Sequence, residues 1–403
     1  MKTALVLSGG GALGSYEVGV WQALRKLHIK FDIVTGTSVG ALNAMVTQND
    51  FHKCMNVWQD ISFANIYATK IDSDIKLNKL YQMHAKEFIK NGGMNPAMLE
   101  QLVKDVYDKE KFYKSKIDYG LITFNLSTFK PKKLTKKDIP PEKLVDYAVA
   151  SATCYPAFKI KTIDNEKYID GGFYDNVPIQ LAIDMGADNV IVVDLQAVGF
   201  KRKVKNFSGN MTIIKPNNKL MNMLEFNAEK SRRAIKLGYN DTMKKYKMLD
   251  GIKFTFKKNN LEKNYKKTHA TFKKYLQNDL SSANALILKK YSKFLNDGND
   301  SKKEFDKLIE NCGNILMLPD EEIYDINKFN KLLKKELAQI NLDEEIKIDK
   351  NINDIKKLLD KRKIIKHIYI MLEKEDYNKK IINTIVDIFS KEYLIALYLK
   401  SIK

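Results

Sequence analysis

The residues of this chain with the most specific chemistry are a serine set between two glycines. Residues 36–40 read Gly-Thr-Ser-Val-Gly, which matches the pattern Gly-x-Ser-x-Gly. In that pattern the serine lies on a sharp turn between a strand and a helix, so that its hydroxyl group is exposed above the sheet. Gly36 and Gly40 allow neighbouring backbone to approach where a Cβ atom would clash. An apolar segment precedes the turn and a helix-forming segment follows it, so Ser38 is predicted to be a nucleophile.

A second glycine-rich segment, residues 9–14, follows the first predicted strand and reads Gly-Gly-Gly-Ala-Leu-Gly. Acyl transfer places negative charge on a carbonyl oxygen, and fixed backbone N–H groups stabilise that charge. We therefore predict an oxyanion loop at Gly9, Gly10 and Gly11, with Gly14 as a supporting residue. Gly10 and Gly11 are the main predicted donors, and the N–H of Val39 is a further candidate.

The same six residues also satisfy Gly-x-Gly-x-x-Gly, the fingerprint of dinucleotide-binding folds. A Rossmann-type oxidoreductase is therefore a competing hypothesis. That fold requires an acidic residue at the end of the second strand to bind the ribose. Asp32 lies at the start of that strand, and the end of the strand leads into Ser38 instead. The sequence thus favours an oxyanion loop over a nucleotide site.

The base that would activate Ser38 could be an aspartate or a histidine. Asp170 follows a predicted strand, and Gly171 and Gly172 after it favour an irregular turn. None of the five histidines lies beside a glycine turn or at a predicted strand end; they are His28, His52, His84, His269 and His367. A triad using His269 or His367 would still follow the chain order of α/β-hydrolases and stays open as an alternative.

Composition narrows the class of protein and of partner. Hydrophobic residues make up 44% of the 403 residues and charged residues 29%, as in soluble globular proteins. No apolar run approaches the roughly 18–20 residues that cross a bilayer. The three cysteines, Cys54, Cys154 and Cys312, lack metal-site or disulfide-framework spacing, so we expect no metal and a cytoplasmic location.

The net charge of +20 comes almost entirely from lysine. Two interpretations stay open: a solvated surface, or a surface that attracts anionic lipid. Basic residues concentrate in three segments, namely residues 130–137, 201–203 and 244–274. No zinc pattern, helix-turn-helix signature or aromatic-interleaved basic motif accompanies them, so no nucleic-acid partner is predicted.

The order of predicted elements indicates two domains. Strand, glycine turn and helix alternate through the first part, which is typical of an α/β fold with a mostly parallel sheet. We predict a helix near 217–247 as the end of this part. After it, glycine and proline become rare and apolar residues recur at helical spacing. The prediction is a catalytic domain at 1–250 and a helical domain of unknown role at 251–403.

These blocks together resemble the bacterial patatin-like phospholipases. Residues 9–14, residues 36–40 and Asp170-Gly171-Gly172 occur in that family's order, and the resemblance extends over roughly residues 3–195. It implies a three-layer α/β/α catalytic domain and hydrolysis of lipid acyl esters without a metal or other cofactor. It also implies Ser38 as nucleophile, Asp170 as base and Gly9 to Gly11 as oxyanion loop. Leu13 departs from the family, many members of which have Arg or Lys there.

The function expected from the sequence is therefore a serine carboxylic-ester hydrolase of the phospholipase A or lysophospholipase type. Its partner would be a phospholipid or another fatty acyl ester, with peripheral association to an anionic membrane surface as a further expectation. The alternative is a lipid-binding or regulatory protein on the same fold that performs no catalysis. An intact pair of Ser38 and Asp170 argues against that alternative, because a binding protein has no need of a nucleophile on a strand-to-helix turn.

Overall fold

The structure, a computed structural model, describes residues 1–47, 50–67, 77–281, 283–342, 360–374 and 379–402. The chain divides into two compact units, Met1–Lys245 and Tyr246–Lys403. Among the described residues, no helix is both long enough and apolar enough to span a bilayer.

The first unit is built on a mixed sheet that has eight strands within the described residues. The strand order is β5-β6-β3-β2-β1-β7-β8, and β4 also pairs with β3. The pairs β3–β2, β2–β1, β1–β7 and β7–β8 are parallel, whereas β6 and β4 run antiparallel to β3. The strands are β1 Thr3–Leu7, β2 Ile33–Thr37, β3 Asp118–Asn125, β4 Lys130–Thr135, β5 Lys161–Ile163, β6 Glu166–Asp170, β7 Asn189–Val193 and β8 Asn210–Ile214.

Helices cover both faces of this sheet, which explains why its central strands are buried along almost their whole length. All five residues of β2 are buried, and so are four of the five in β1. The helices are α1 Gly14–Lys26, α2 Val39–Thr47, α3 Phe51–Gln59, α4 Phe63–Tyr67, α5 Leu77–Asn91, α6 Ala97–Val106, α7 Lys109–Lys114, α8 Leu144–Ser151, α9 Ile179–Asp184 and α10 Ala228–Lys245. Helix α9 packs on one face in a cluster with Ala4, Val6 and Ile33. The predicted three-layer arrangement with a mostly parallel sheet is confirmed.

The long helix predicted near 217–247 is shorter than expected and begins at Ala228. Residues before it form an irregular segment because their polar groups bond elsewhere. The carbonyl of Met223 accepts a hydrogen bond from the Ala12 N–H, at 2.8 Å. Asn227 then accepts a hydrogen bond from the Lys230 N–H at 3.0 Å and so caps the helix. The apolar residues of this segment line a cavity instead of a helix face.

The second unit is mainly helical, as expected from the sequence. Its helices are α11 Asn260–Asp279, α12 Ala285–Leu295, α13 Asn299–Ile315, α14 Ile326–Gln339, α15 Lys361–Lys374, α16 Lys379–Ile388 and α17 Ser390–Ser401. A small sheet of β9 Leu249–Asp250, β10 Thr255–Lys257 and β11 Ile323–Tyr324 accompanies them. Strands of two or three residues are too short to give a periodic pattern, so this sheet was not predicted.

Candidate active site

The turn that follows β2 carries Ser38 in a strained backbone conformation. Its φ angle is +55°, in the left-handed region that side chains with a Cβ atom rarely adopt. Helix α2 begins at the next residue, so the first N–H groups of that helix lie beside the serine. The turn is closely packed: a Cβ atom at Gly40 would lie 2.4 Å from the Leu7 carbonyl oxygen. This is the geometry that the Gly-x-Ser-x-Gly pattern predicts.

A buried serine on a neighbouring helix holds this turn in place. The Ser38 N–H donates to the Ser151 hydroxyl at 2.9 Å, and that hydroxyl donates to the Ile122 carbonyl at 2.7 Å. Ser151 is fully buried at the end of α8. The hydroxyl therefore links the nucleophile's backbone to β3 through two hydrogen bonds.

Asp170, at the end of β6, lies beside Ser38. The Ser38 hydroxyl is near enough to the Asp170 carboxylate to favour its ionised form, and Asp170 Oδ1 accepts a hydrogen bond from the Gly172 N–H at 2.7 Å. The Asp170 N–H donates to the Thr153 carbonyl at 3.0 Å, which fixes its backbone. Burial raises the pKa of Asp170 to about 6, because loss of water costs the carboxylate more than Ser38 and the Gly172 N–H recover.

The predicted oxyanion loop is fixed at both ends and leaves two N–H groups available. The Gly9 N–H donates to the Asn176 carbonyl at 3.0 Å, so Gly9 is already engaged. The amides of Gly10 and Gly11 form no hydrogen bond with any residue that the structure describes. Gly11 has a φ angle of +55°, and a Cβ atom there would lie 2.1 Å from the Met223 carbonyl oxygen. Only glycine fits this position, because both the conformation and the contact exclude a side chain.

Two cavities meet at Ser38. The first, of about 90 Å³, is bounded almost entirely by apolar side chains from α2, α3, α4 and α6, from the turn before α4, from residues 152–158 and from the segment before α10. These side chains are Val39, Leu42, Val46, Cys54, Val57, Trp58, Ile61, Ile66, Leu99, Leu102, Val103, Val106, Ala152, Cys154, Phe158, Met223, Leu224 and Phe226, together with Gly11, Ser38 and Asn43. The second, of about 250 Å³, is bounded by Gly10, Ser38, Cys154, Tyr155, Asp170, Gly172, Phe173, Asn176, Val198, Gly199, Phe200 and Met223. An ester held across Ser38 would therefore find an apolar chamber on one side and the Asp170 carboxylate on the other.

None of the five histidines, all of which lie in the described part of the chain, borders either cavity. His84 is buried against Tyr67, with ring centroids 5.0 Å apart, and burial lowers its pKa. His269 belongs to the second unit, where it contacts the Phe294 carbonyl and the Ser301 hydroxyl. His367 is part of α15 in that unit. These placements support Asp170 rather than an imidazole as the group that acts on Ser38.

A dinucleotide site would need an acidic side chain at the end of β2, and a metal site would need a cluster of ligating side chains. The Asp32 carboxylate accepts a hydrogen bond from the Thr3 N–H at 2.9 Å, at the start of β2 and away from Ser38. Among the described residues, no group of three or more His, Cys, Asp or Glu side chains could hold a metal ion.

Three supporting residues have roles that the sequence alone did not reveal. Ser151 accepts from the nucleophile's N–H, Met223 accepts from Ala12 through its carbonyl, and the Asn176 side chain donates to the Gly9 carbonyl at 3.2 Å. Ser151 and Asn176 lie in further short segments that resemble the family, and this resemblance is the sequence signal for them. Met223 acts through its backbone, which leaves no signature in the residue type.

Comparison with known proteins agrees with the fold of the first unit. Residues 5–183 match the family model described as patatin-like phospholipase. The chain is 25% identical over 200 residues to lysophospholipase NTE1 of Mycosarcoma maydis, which covers 49% of this chain and 10% of that protein. It is 25% identical over 199 residues to patatin-like phospholipase domain-containing protein 7 of Rattus norvegicus, which covers 48% of this chain and 13% of that protein. The chain thus spans about a tenth of the length of the curated relatives it matches.

Among solved structures, VipD from Legionella pneumophila is similar at 15% identity and a TM-score of 0.37, covering 100% of this chain and 91% of that chain. The family match therefore depends on residues 5–183 and not on this structure. Residues 5–183 of this chain match the patatin-like phospholipase family, and the resemblance found in the sequence is confirmed.

Proposed function

We propose that this chain hydrolyses acyl esters of lipids, with Ser38 as the nucleophile and Asp170 as its base. The observation that carries the proposal is that the Ser38 hydroxyl and the Asp170 carboxylate lie together where two cavities meet. The family and the names of its relatives support a lipid hydrolase. The Ser–Asp dyad and the acyl-serine intermediate are the finer part of the proposal.

In the first half of the reaction, Asp170 accepts the Ser38 proton while the serine oxygen attacks the ester carbonyl carbon. The N–H groups of Gly10 and Gly11 stabilise the oxyanion that forms. The carbon–oxygen bond to the alcohol breaks, the alcohol takes the proton from Asp170, and an acyl-serine remains. In the second half, Asp170 accepts a proton from water as the water oxygen attacks the acyl carbon. Ser38 then leaves, recovers that proton, and the fatty acid is released.

The environment of Asp170 suits this role. A carboxyl group at the ordinary Asp pKa of 3.8 is a weak base toward an alcohol. A pKa of about 6 makes the carboxylate more basic while leaving it mostly ionised at neutral pH. The hydrogen bond from Gly172 also fixes the orientation of the carboxylate, which reduces the reorganisation needed during proton transfer.

The apolar cavity indicates the acyl part of the substrate. Nearly every residue that bounds it is hydrophobic, and four helices contribute to it together with residues 152–158 and the segment before α10. Burial of an alkyl chain there would contribute roughly 0.8 kcal/mol per methylene group. We therefore propose a fatty acyl chain as the group that this cavity holds.

The rim of the second cavity supports an approach from a membrane surface. Val198 is 87% exposed and Phe200 66%, although both border the cavity that contains Ser38. Backbone hydrogen bonds hold Phe200 there, because its N–H donates to Gly172 and its carbonyl accepts from Asn176. The next residues, 201–205, contain four cations and no acid; Lys201 pairs with Asp194 and Arg202 contacts Tyr174, whereas Lys203 and Lys205 are exposed. An apolar rim flanked by cations is complementary to an anionic bilayer.

The other basic segment of the first unit is less suited to this role. Lys132 hydrogen-bonds Tyr168, Lys133 pairs with Asp184, and Lys136 donates to the carbonyl groups of Phe112 and Ser115. The proposed peripheral contact therefore uses the rim rather than residues 130–137, and it is compatible with a cytoplasmic protein.

Vesicle flotation tests the membrane contact without reference to catalysis. On a Ser38→Ala background, the chain should float with anionic vesicles, and Val198→Ser combined with Phe200→Ser should weaken that flotation. Ile89→Ser combined with Phe129→Ser removes equally exposed apolar side chains elsewhere and serves as the matched control. Equal flotation of both double variants would remove the rim from the proposal.

The proposed activity itself is tested with a panel of phospholipids, lysophospholipids and neutral acyl esters, with products identified by mass spectrometry. The wild-type chain should release free fatty acid from at least one class, and Ser38→Ala should release none. Binding of lipid without release of fatty acid by the wild-type chain would favour the non-catalytic alternative instead.

A further inference from the structure

A cavity of the second unit lies between two helices and is bounded by polar and basic side chains. Its volume is about 360 Å³, and its lining residues are Asn264, Lys267 and Thr268 of α11, Asn327, Asn330, Lys331 and Lys334 of α14, and Ile402. The spacing within each helix places these residues on one helical face. Helices that pack together ordinarily bury apolar stripes, so two polar faces around a cavity indicate a binding site rather than a packing interface.

The floor of this cavity is a closed ring of hydrogen bonds. The Asn330 amide donates to Asn264 Oδ1 at 3.2 Å, the Asn264 amide donates to the Tyr398 hydroxyl at 3.2 Å, and that hydroxyl donates to Asn330 Oδ1 at 2.8 Å. Each amide group uses one of its two N–H bonds in the ring. The remaining N–H bond of each has no acceptor among the residues that the structure describes.

Two of the polar side chains that line this cavity are almost fully buried, unlike those of a solvated surface. Asn264 and Thr268 are each only 4% exposed, although both border the cavity. A buried polar group costs free energy unless its hydrogen-bonding capacity is used. A ligand that accepts hydrogen bonds would use the spare donors of this floor.

Three lysines surround the floor. Among the residues that the structure describes, no aspartate or glutamate lines the cavity. Within the described ranges, none of Lys267, Lys331 and Lys334 forms an ion pair, whereas Lys266 and Lys302 nearby pair with Glu262. Like charges gathered around one cavity repel each other, and a bound anion would relieve that repulsion.

We propose that this cavity binds a phosphate group, carried either by a lipid headgroup or by a soluble compound. A phosphate presents several acceptor oxygens and about two negative charges, which matches three ammonium groups above a floor of amide donors. Lysine is well suited to this ligand because its ammonium group acts as a compact, rotatable donor. The site is independent of Ser38 and Asp170.

The test compares two triple variants of the full chain that lose the same charge. The site variant is Lys267→Gln, Lys331→Gln and Lys334→Gln. The control variant is Lys263→Gln, Lys328→Gln and Lys335→Gln, which lie exposed on the same two helices but outside the cavity. Calorimetric titration with inorganic pyrophosphate measures the soluble ligand, and flotation with phosphatidic acid vesicles measures the headgroup.

The wild type and the control variant should bind one of these probes with equal affinity, and the site variant should bind it about tenfold more weakly or worse, a loss of roughly 1.4 kcal/mol. Binding of pyrophosphate but not of vesicles identifies a soluble ligand, and the reverse identifies a headgroup. The bound probe should also raise the Tm of the wild type and of the control more than that of the site variant. Equal losses in the two variants, or no binding of either probe by the wild type, would overturn the proposal.

Discussion

Ser38 and Asp170 border the same cavity although β3 separates their strands: Ser38 follows β2, and Asp170 is the last residue of β6. The register of the sheet explains how they meet. Thr37 pairs with Ile122, and Asp170 pairs with Thr123, the next residue of β3. Because β6 runs antiparallel to β3, the end of β6 comes back to the level at which β2 ends. A serine and an aspartate more than a hundred positions apart thus lie side by side.

We predict that activity depends on pH through Asp170. The carboxyl group must be ionised to accept the Ser38 proton, and burial raises its pKa to about 6. The kcat/KM for a soluble ester should therefore fall as the pH decreases through about 6. A steady-state pH profile measures this, with a fluorogenic short-chain ester as substrate. An acidic limb near the ordinary Asp pKa of 3.8 would contradict the desolvated carboxylate.

The free energy of unfolding should also depend on the ionisation of Asp170. Unlike activity, it should be favoured by low pH. A folded pKa above the unfolded value means that the folded state holds a proton more tightly. The stabilising contribution is then complete below the unfolded pKa of 3.8 and is lost as the pH rises through about 6. Two pKa units correspond to roughly 3 kcal/mol.

Asp170→Asn removes this titration. Burial also raises the pKa of Asp175 to about 6, but Asp175 is present in both proteins, so its contribution to the difference between them cancels. The free energy of unfolding of Asp170→Asn, relative to the wild type, should therefore increase by as much as about 3 kcal/mol between about pH 4 and about pH 8. Urea unfolding at both values gives the difference. A difference that does not change with pH would show that Asp170 is not desolvated.

Ser151→Ala should impair the turn that carries the nucleophile. It leaves the buried Ser38 N–H without its acceptor, which costs about 1–3 kcal/mol of stability. We expect kcat to fall while KM changes little, because the serine oxygen loses its position and the cavities remain. Thr242→Val removes another buried hydroxyl, which donates to Gly238 on α10, and serves as the control. If both variants lost stability and kept the wild-type kcat, Ser151 would have only a structural role.

Val103→Phe should shift the substrate preference toward shorter acyl chains. Val103 borders the apolar cavity from α6, and a larger side chain there reduces the space for an alkyl chain. Overpacking also costs about 1–3 kcal/mol, so Val145→Phe on α8, outside the cavity, is the matched control. The ratio of kcat/KM between long and short acyl esters measures the effect. An unchanged ratio in Val103→Phe would mean that the cavity does not hold the acyl chain.

Local patterns made much of the fold and of the candidate site predictable. The strand ended by glycines and the helix after Ser38 are properties of short segments, and Gly36 and Gly40 mark the turn directly. The roles of Ser151 and Met223 depend on which distant segments pack together, and a single sequence does not contain that information. The later start of α10 has the same cause, because the Met223 carbonyl bonds to the distant Ala12 N–H and Asn217 bonds to Asp241.

Labelling with a fluorophosphonate probe, followed by mass spectrometry of the modified peptide, tests the central claim most directly. The wild type should carry one adduct, on Ser38, whereas Ser38→Ala should carry none and Asp170→Asn should react far more slowly. Labelling of all three proteins at the same rate, or an adduct on another residue, would contradict the assignment of Ser38 as nucleophile and Asp170 as its base.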